Sequence, residues 1–154
     1  MYWVIGNEPD IHNETAATYS SEFNTLYDAM KAVDSSIKIG GGPTAWCDSS
    51  FLTTFLEDSG SRVDFLDLHF YPGNDTESQL LAAPEALSTD LSDARTLINT
   101  YVPGGASSIA IRVGEYNLSW VDRRVRLHRR RLGGGRRHPG PHPGSRRRRP
   151  GLGH

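Results

Sequence analysis

A chain of 154 residues, 36% hydrophobic and 23% charged, is long enough for one domain with its own core. Its net charge of −1 conceals a division: up to Trp120 there are five basic and seventeen acidic residues (−12), and beyond it twelve arginines and one aspartate (+11). The acidic part argues against nucleic-acid binding there, a lone Cys47 permits no internal disulfide, and no stretch reaches the roughly 20 apolar residues of a membrane span.

The chain opens with Met1-Tyr2-Trp3-Val4-Ile5, an apolar run that ends in Gly6-Asn7-Glu8-Pro9. Such a run, bounded by turn residues, predicts a strand buried on both faces. Pro9 has no amide hydrogen and a fixed φ, so it stops the strand and biases Glu8 towards an extended backbone. A chain that starts inside a strand, without a charged leader, is expected to be truncated. After a polar loop, Tyr19, Phe23, Leu26, Tyr27, Met30 and Val33 recur at three- and four-residue steps and predict a helix over 15–33. Ile37-Lys38-Ile39 predicts a short strand ended by Gly40-Gly41-Gly42-Pro43. A loop with Trp46 and Cys47 leads to a helix over 49–58, and Val63 to Tyr71 forms the next strand, stopped by Pro72-Gly73. Residues 74–85 read as loop, and 86–101 as a second amphipathic helix with Leu87, Leu91, Ala94, Ile98 and Tyr101 on one face. Pro103-Gly104-Gly105 turns the chain into a last strand, Ile109 to Val113, which ends in Gly114-Glu115-Tyr116-Asn117.

Repeated strand–helix units imply a parallel sheet with right-handed crossovers. The glycine fingerprint of an open dinucleotide-binding sheet does not fit, because Pro43 and a tryptophan loop follow Gly42 where a helix should start. The remaining closure is a (β/α)8 barrel, which takes about 250 residues. The predicted fold is therefore α/β, a partial TIM barrel of four βα units over residues 1–120. Residues 121–154 are rich in Arg, Gly, Pro and His without apolar periodicity, and are expected to be a disordered basic tail. A frameshift in GC-rich coding DNA produces such text, and that reading is preferred to a nucleic-acid-binding arm.

Both outer strands deliver a glutamate to the carboxyl end, where α/β barrels place their chemistry. Asn7-Glu8-Pro9, then Ile39-Gly40-Gly41-Gly42-Pro43, then His69-Phe70-Tyr71, then Gly114-Glu115-Tyr116-Asn117 resemble strands four to seven of the clan A retaining glycoside hydrolases. The pattern is most similar to the β-xylosidase and arabinofuranosidase families, and endoglycanases share it. The resemblance covers residues 2–120. It implies a fragment of a retaining glycosidase acting on O-glycosidic bonds of plant-type polysaccharides or oligosaccharides by double displacement.

Retaining glycosidases need two carboxyl groups about 5–5.5 Å apart, one cycling as acid and base and one attacking the sugar. By resemblance Glu8 is the acid/base and Glu115 the nucleophile. Tyr71 orients Glu115, His69 is a neighbouring support, and Asn7 binds the sugar 2-hydroxyl. Trp46, Trp120 and His12 are candidates for sugar contact from loops on the same face. No metal or other cofactor is implied, and the partner is a carbohydrate substrate, with neither nucleic acid nor membrane. The clan's first three strands, and with them its arginine beside the nucleophile, have no counterpart here, nor has the eighth strand with its tryptophan. This chain alone is therefore expected to hydrolyse aryl glycosides negligibly and to self-associate through open barrel edges. Localisation is not readable, with an extracellular setting expected for the full-length parent. The competing reading is a non-catalytic carbohydrate-binding or basic-tailed nucleic-acid-binding protein.

Overall fold

A computed structural model describes residues 1–73, 76–102, 104 and 106–117. Within them the predicted alternation of strand and helix is present. Four strands, β1 (Tyr2–Val4), β2 (Lys38–Thr44), β3 (Phe65–Phe70) and β4 (Ala110–Tyr116), form one sheet in the order of the chain, and every pairing is parallel. Between them run α1 (Ala16–Val33), α2 (Ser49–Ser59), α3 (Glu77–Leu81) and α4 (Ala83–Tyr101). This is the half-barrel of a partial TIM fold. No helix among the described residues is long and apolar enough to cross a membrane. Trp120 and the basic tail lie outside the described residues.

Local signals set the helix ends. Thr15 accepts the Thr18 amide at the start of α1, and Asp48 accepts the amides of Ser50 and Phe51 at the start of α2. The expected loop over 74–85 is corrected: it holds α3 and the first turn of α4. Thr76 and Gln79 form a reciprocal capping box, and Pro84 stands in the first turn of α4, where a missing amide is harmless.

The core lies between the sheet and the helices. Phe23 of α1, Phe55 and Leu56 of α2, and Ala94 and Ile98 of α4 are buried against Ile39, Leu66 and Leu68 of the strands. The expected strand end at Gly40 is also corrected, for β2 runs through the glycines to Thr44 with an irregular register between Gly41 and Thr44. The glycines are there for space. A methyl on Gly41 would stand 2.5 Å from Phe55 Cζ and 2.7 Å from Phe23 Cε2, and one on Gly40 would meet the Phe65 ring on the opposite face.

Register pairs Ile39 with Trp3 and puts Leu66 beside Gly41 and Ile111. Ile39, Leu66, Leu68 and Ile111 thus face the helices and not the barrel interior. The interior face carries Tyr2, Phe65, Asp67 and Arg112. There the Arg112 guanidinium lies 3.7 Å from the centre of the Tyr2 ring and 4.6 Å from that of Phe65. The expectation that β1 is buried on both faces fails as well: Tyr2 is 59% exposed, Trp3 48% and Val4 42%. As an edge strand with a single partner, β1 has nothing beyond it among the described residues.

At the amino end of the strands a charged pin holds three elements. Asp64 accepts the Ile39 amide at 2.9 Å, Lys38 Nζ at 2.9 Å and Lys31 Nζ at 3.0 Å. Burial alone would raise the Asp64 carboxyl, but the Ile39 N–H and the two lysines outweigh it and hold the group below the usual range.

Two outcomes follow. Gly41→Ala should cost about 1–3 kcal/mol by overpacking, read from the urea midpoint; an unchanged midpoint would show that the phenyl rings yield. With β1 and β4 both unpaired on their outer sides among the described residues, light scattering at micromolar concentration should find dimers or larger species. A monodisperse monomer with a cooperative thermal transition would show that the half-barrel covers its own open face.

Candidate active site

Glu8 follows β1 and starts a single turn of 3-10 helix, Pro9–Ile11. Its backbone is not extended, as the following proline led one to expect, but left-handed, with φ 46° and ψ 52°. The reason is a set of hydrogen bonds that over-determine the turn. The Glu8 amide donates to the Pro43 carbonyl at 2.8 Å, and the Glu8 carbonyl accepts the Ile11 amide at 3.2 Å and a nitrogen of the His12 ring at 2.8 Å. A left-handed non-glycine residue is strained, and such strain gathers at functional sites. Asp10 fastens the same turn to the loop after β2 by accepting the Ala45 amide at 3.1 Å.

His69 comes from β3. Its ring is buried, with Nδ1 3.0 Å from Glu8 Oε1 and 3.7 Å from Glu115 Oε2. An imidazole Nδ1–H can serve one of these well, and the shorter contact selects Glu8. Glu115, near the end of β4, accepts the Tyr71 hydroxyl on Oε2 at 2.9 Å. Oxygens of Glu8 and Glu115 and the His69 nitrogen all lie within 4.8 Å of one another. The two carboxylates thus converge from the outermost strands of the sheet, bridged by the histidine. Two acids and a histidine are donors that a cation could use, but here one Glu8 oxygen and one Glu115 oxygen are already engaged by His69 and Tyr71.

Glu8, Tyr71, Glu115 and Trp46 border one hollow of about 580 Å³, completed by Ile11, Ala45 and Asn117. Trp46 is 54% exposed, with its ring available to the hollow. A second hollow of about 540 Å³ runs along the interior face and shares Glu115; Asn7 and His69 border it with Asp67 and Arg112. Of the residues singled out from sequence, Glu8, Glu115, His69, Tyr71, Asn7 and Trp46 are therefore brought together. His12 is not: it folds back on the Glu8 carbonyl and supports the turn. Trp120 lies outside the described residues.

Sequence reasoning missed Asp67, which is 4% exposed beneath His69. The signal was present in Phe65-Leu66-Asp67-Leu68-His69, where an acid occupies the same alternating phase as the site histidine. Burial raises its carboxyl, against the pull of His69, Arg112 and the Gly114 amide. Tyr71 is raised too, chiefly because its hydroxyl donates to the Glu115 carboxylate.

No family model and no curated protein matches the sequence. Solved structures do. The α-L-arabinofuranosidase of Thermotoga maritima, in complex with arabinose, superposes with a TM-score of 0.66 at 26% identity, over 77% of this chain and 25% of its own. The GH51 α-L-arabinofuranosidase of Thermotoga petrophila gives 0.66 at 25% identity over the same shares. A family 51 α-L-arabinofuranosidase of Bifidobacterium longum shares the fold at 15% identity, with a TM-score of 0.64 over 89% of this chain and 31% of its own. The fold is that of a glycoside hydrolase α/β barrel in part. The likeness supports descent from glycosidases, and the chain spans about a quarter to a third of the length of these structures.

The Tyr71 contact makes a direct prediction. Because the neutral phenol donates to Glu115, the bond is complete below the ordinary tyrosine value of about 10 and is lost as pH rises through the elevated Tyr71 titration. Glu115→Gln should bring that titration down, seen as phenolate absorbance differenced against Tyr71→Phe. An unmoved titration would show that the carboxylate does not govern this hydroxyl.

Proposed function

We propose that this chain carries both catalytic carboxylates of a retaining glycoside hydrolase, with α-L-arabinofuranosides of plant-type polysaccharides and oligosaccharides as the substrate class. The observation that carries the reading is the approach of Glu8 and Glu115 oxygens to within 4.8 Å. Double displacement needs carboxyl groups about 5–5.5 Å apart, and inversion needs about 6.5–9.5 Å to admit a water between acid and sugar. The substrate class is taken from the names of the similar structures, two of which share a quarter of their aligned residues with this chain.

In this reading Glu115 attacks the anomeric carbon and its bond to the leaving oxygen breaks, while Glu8 gives that oxygen a proton. Water, deprotonated by Glu8, then releases the sugar with its configuration retained. Tyr71 donates to the Glu115 oxygen that does not attack and so fixes the rotation of the carboxylate. His69 holds Glu8 in the same way from the buried side. Asn7 is the donor for the sugar 2-hydroxyl, and Trp46 is a flat apolar wall on which a sugar ring stacks.

A 2-deoxy-2-fluoro-α-L-arabinofuranoside with a dinitrophenolate leaving group tests this. The fluorine slows both steps by destabilising their oxocarbenium-like transition states, and the dinitrophenolate leaving group restores only the first, so a glycosyl-enzyme accumulates even where turnover is slow. Mass spectrometry should find one sugar added to the peptide containing Glu115, and none in Glu115→Gln. An adduct on Glu8, one that persists in the glutamine variant, or none at millimolar reagent would overturn the assignment.

A further inference from the structure

Strands β3 and β4 fall out of step by one residue at the site. Asp67 pairs with Arg112 and Leu68 with Val113, but His69 pairs with Glu115, so Gly114 is an extra residue in β4. Side chains alternate between the faces of a sheet, and a shift of one residue exchanges the faces. In an unbroken ladder His69 would stand opposite Gly114, and Glu115 opposite Phe70. Glu115 would then share the phase of Leu66 and Leu68, which point into the helices. The inserted glycine returns Glu115 to the phase of Phe65, Asp67 and His69, on the face that opens to the hollows. Bulges re-aim side chains in this way next to functional sites.

Asp67 sits at the insertion. A methyl on Gly114 would stand 2.6 Å from Asp67 Oδ1 and 2.8 Å from its Cγ, so the carboxyl group fills the volume that a side chain at 114 would need. The carboxyl group therefore lies directly against the Gly114 backbone, whose amide favours its charged form. A bulged residue drops out of the ladder, and its amide needs another acceptor. On the far side stands Arg112, whose guanidinium is fixed by the Tyr2 and Phe65 rings and offsets the buried charge.

We propose that Asp67 is a positioning residue whose buried carboxylate captures the backbone at Gly114 and thereby turns Glu115 into the cleft beside His69 and Tyr71. The inference rests on Glu115 being a site carboxylate, but not on its attacking a sugar. It accounts for an acid where an apolar side chain would pack at lower cost, and for a glycine at 114.

The full chain with Asp67→Asn and Asp67→Leu tests it. Asparagine keeps the shape and an acceptor oxygen for the Gly114 amide; leucine keeps the bulk and removes the acceptor. The readout is the Tyr71 titration, which reports whether Glu115 still accepts its hydroxyl, with far-UV circular dichroism as the check on folding. The asparagine variant should keep the elevated titration, and the leucine variant should return it to about 10, the ordinary tyrosine value. A folded leucine variant with the titration still elevated overturns the assignment. Loss of the elevation in the asparagine variant also overturns it, since charge and not capture of the backbone would then be operating. Should the leucine variant fail to fold, Gly114→Ala, which drives the Asp67 carboxyl out of place, carries the same expectation, and an unmoved Tyr71 there is equally fatal. Absence of the fluorosugar adduct alongside the expected shifts would count against the glycosidase reading alone.

Discussion

The Tyr19 hydroxyl joins three elements at the point where the site begins. It donates to the Ile5 carbonyl at 2.7 Å and accepts the Gly42 amide at 3.0 Å, so one phenol from α1 closes the end of β1 onto the irregular end of β2. The residue is buried, and burial pushes the phenol far above its ordinary value, which keeps it neutral and able to play both parts. Glu8 stands three residues beyond Ile5, and its own amide donates to Pro43 one residue beyond Gly42. Without that clamp the short exposed β1 would have little to fix its end, since neither face of Tyr2–Val4 is well covered.

Curvature does the next part. Adjacent strands lie about 4.8 Å apart, so the outer members of a flat four-stranded sheet are separated by about 14 Å. Glu8 follows one of those outer strands and Glu115 lies in the other, yet their oxygens come within 4.8 Å. Barrel curvature turns inward-facing side chains towards one axis, and two long glutamates extended from opposite sides cover the remaining gap. His69, from the strand beside β4, occupies the space between them. A site of this kind cannot be assembled on one strand or one helix; it needs the sheet to be bent.

The two ends of the half-barrel divide their tasks. At the amino end, Asp64 with Lys31 and Lys38 is a structural pin, held by charge and by the Ile39 amide. At the carboxyl end, the left-handed Glu8, the bulge at Gly114 and the buried Asp67 are locally unfavourable features that neighbouring contacts sustain. Strain collects where geometry must serve chemistry, and ordinary packing suffices elsewhere.

Helix placement was legible in the sequence because α1 and α4 carry apolar residues at helical spacing, and strand identity because β3 and β4 are apolar runs stopped by turn residues. Both are local properties of the chain. The ordered strand endings with Glu8, His69, Tyr71 and Glu115 were legible too, since each is a short motif. What the sequence could not decide was which face each strand presents. Ile39 and Leu66 look the same whether they line a barrel or meet helices, and only register with Gly40, Gly41 and the phenyl rings of α1 and α2 settles their side. The extra residue at Gly114 reads as an ordinary strand glycine until its partners on β3 are known. The surroundings of Asp67 depend on it in turn, because its carboxyl fills the space beside that misaligned glycine. The phase of a sheet is a relation between strands distant in the chain, and it exists only once they are paired.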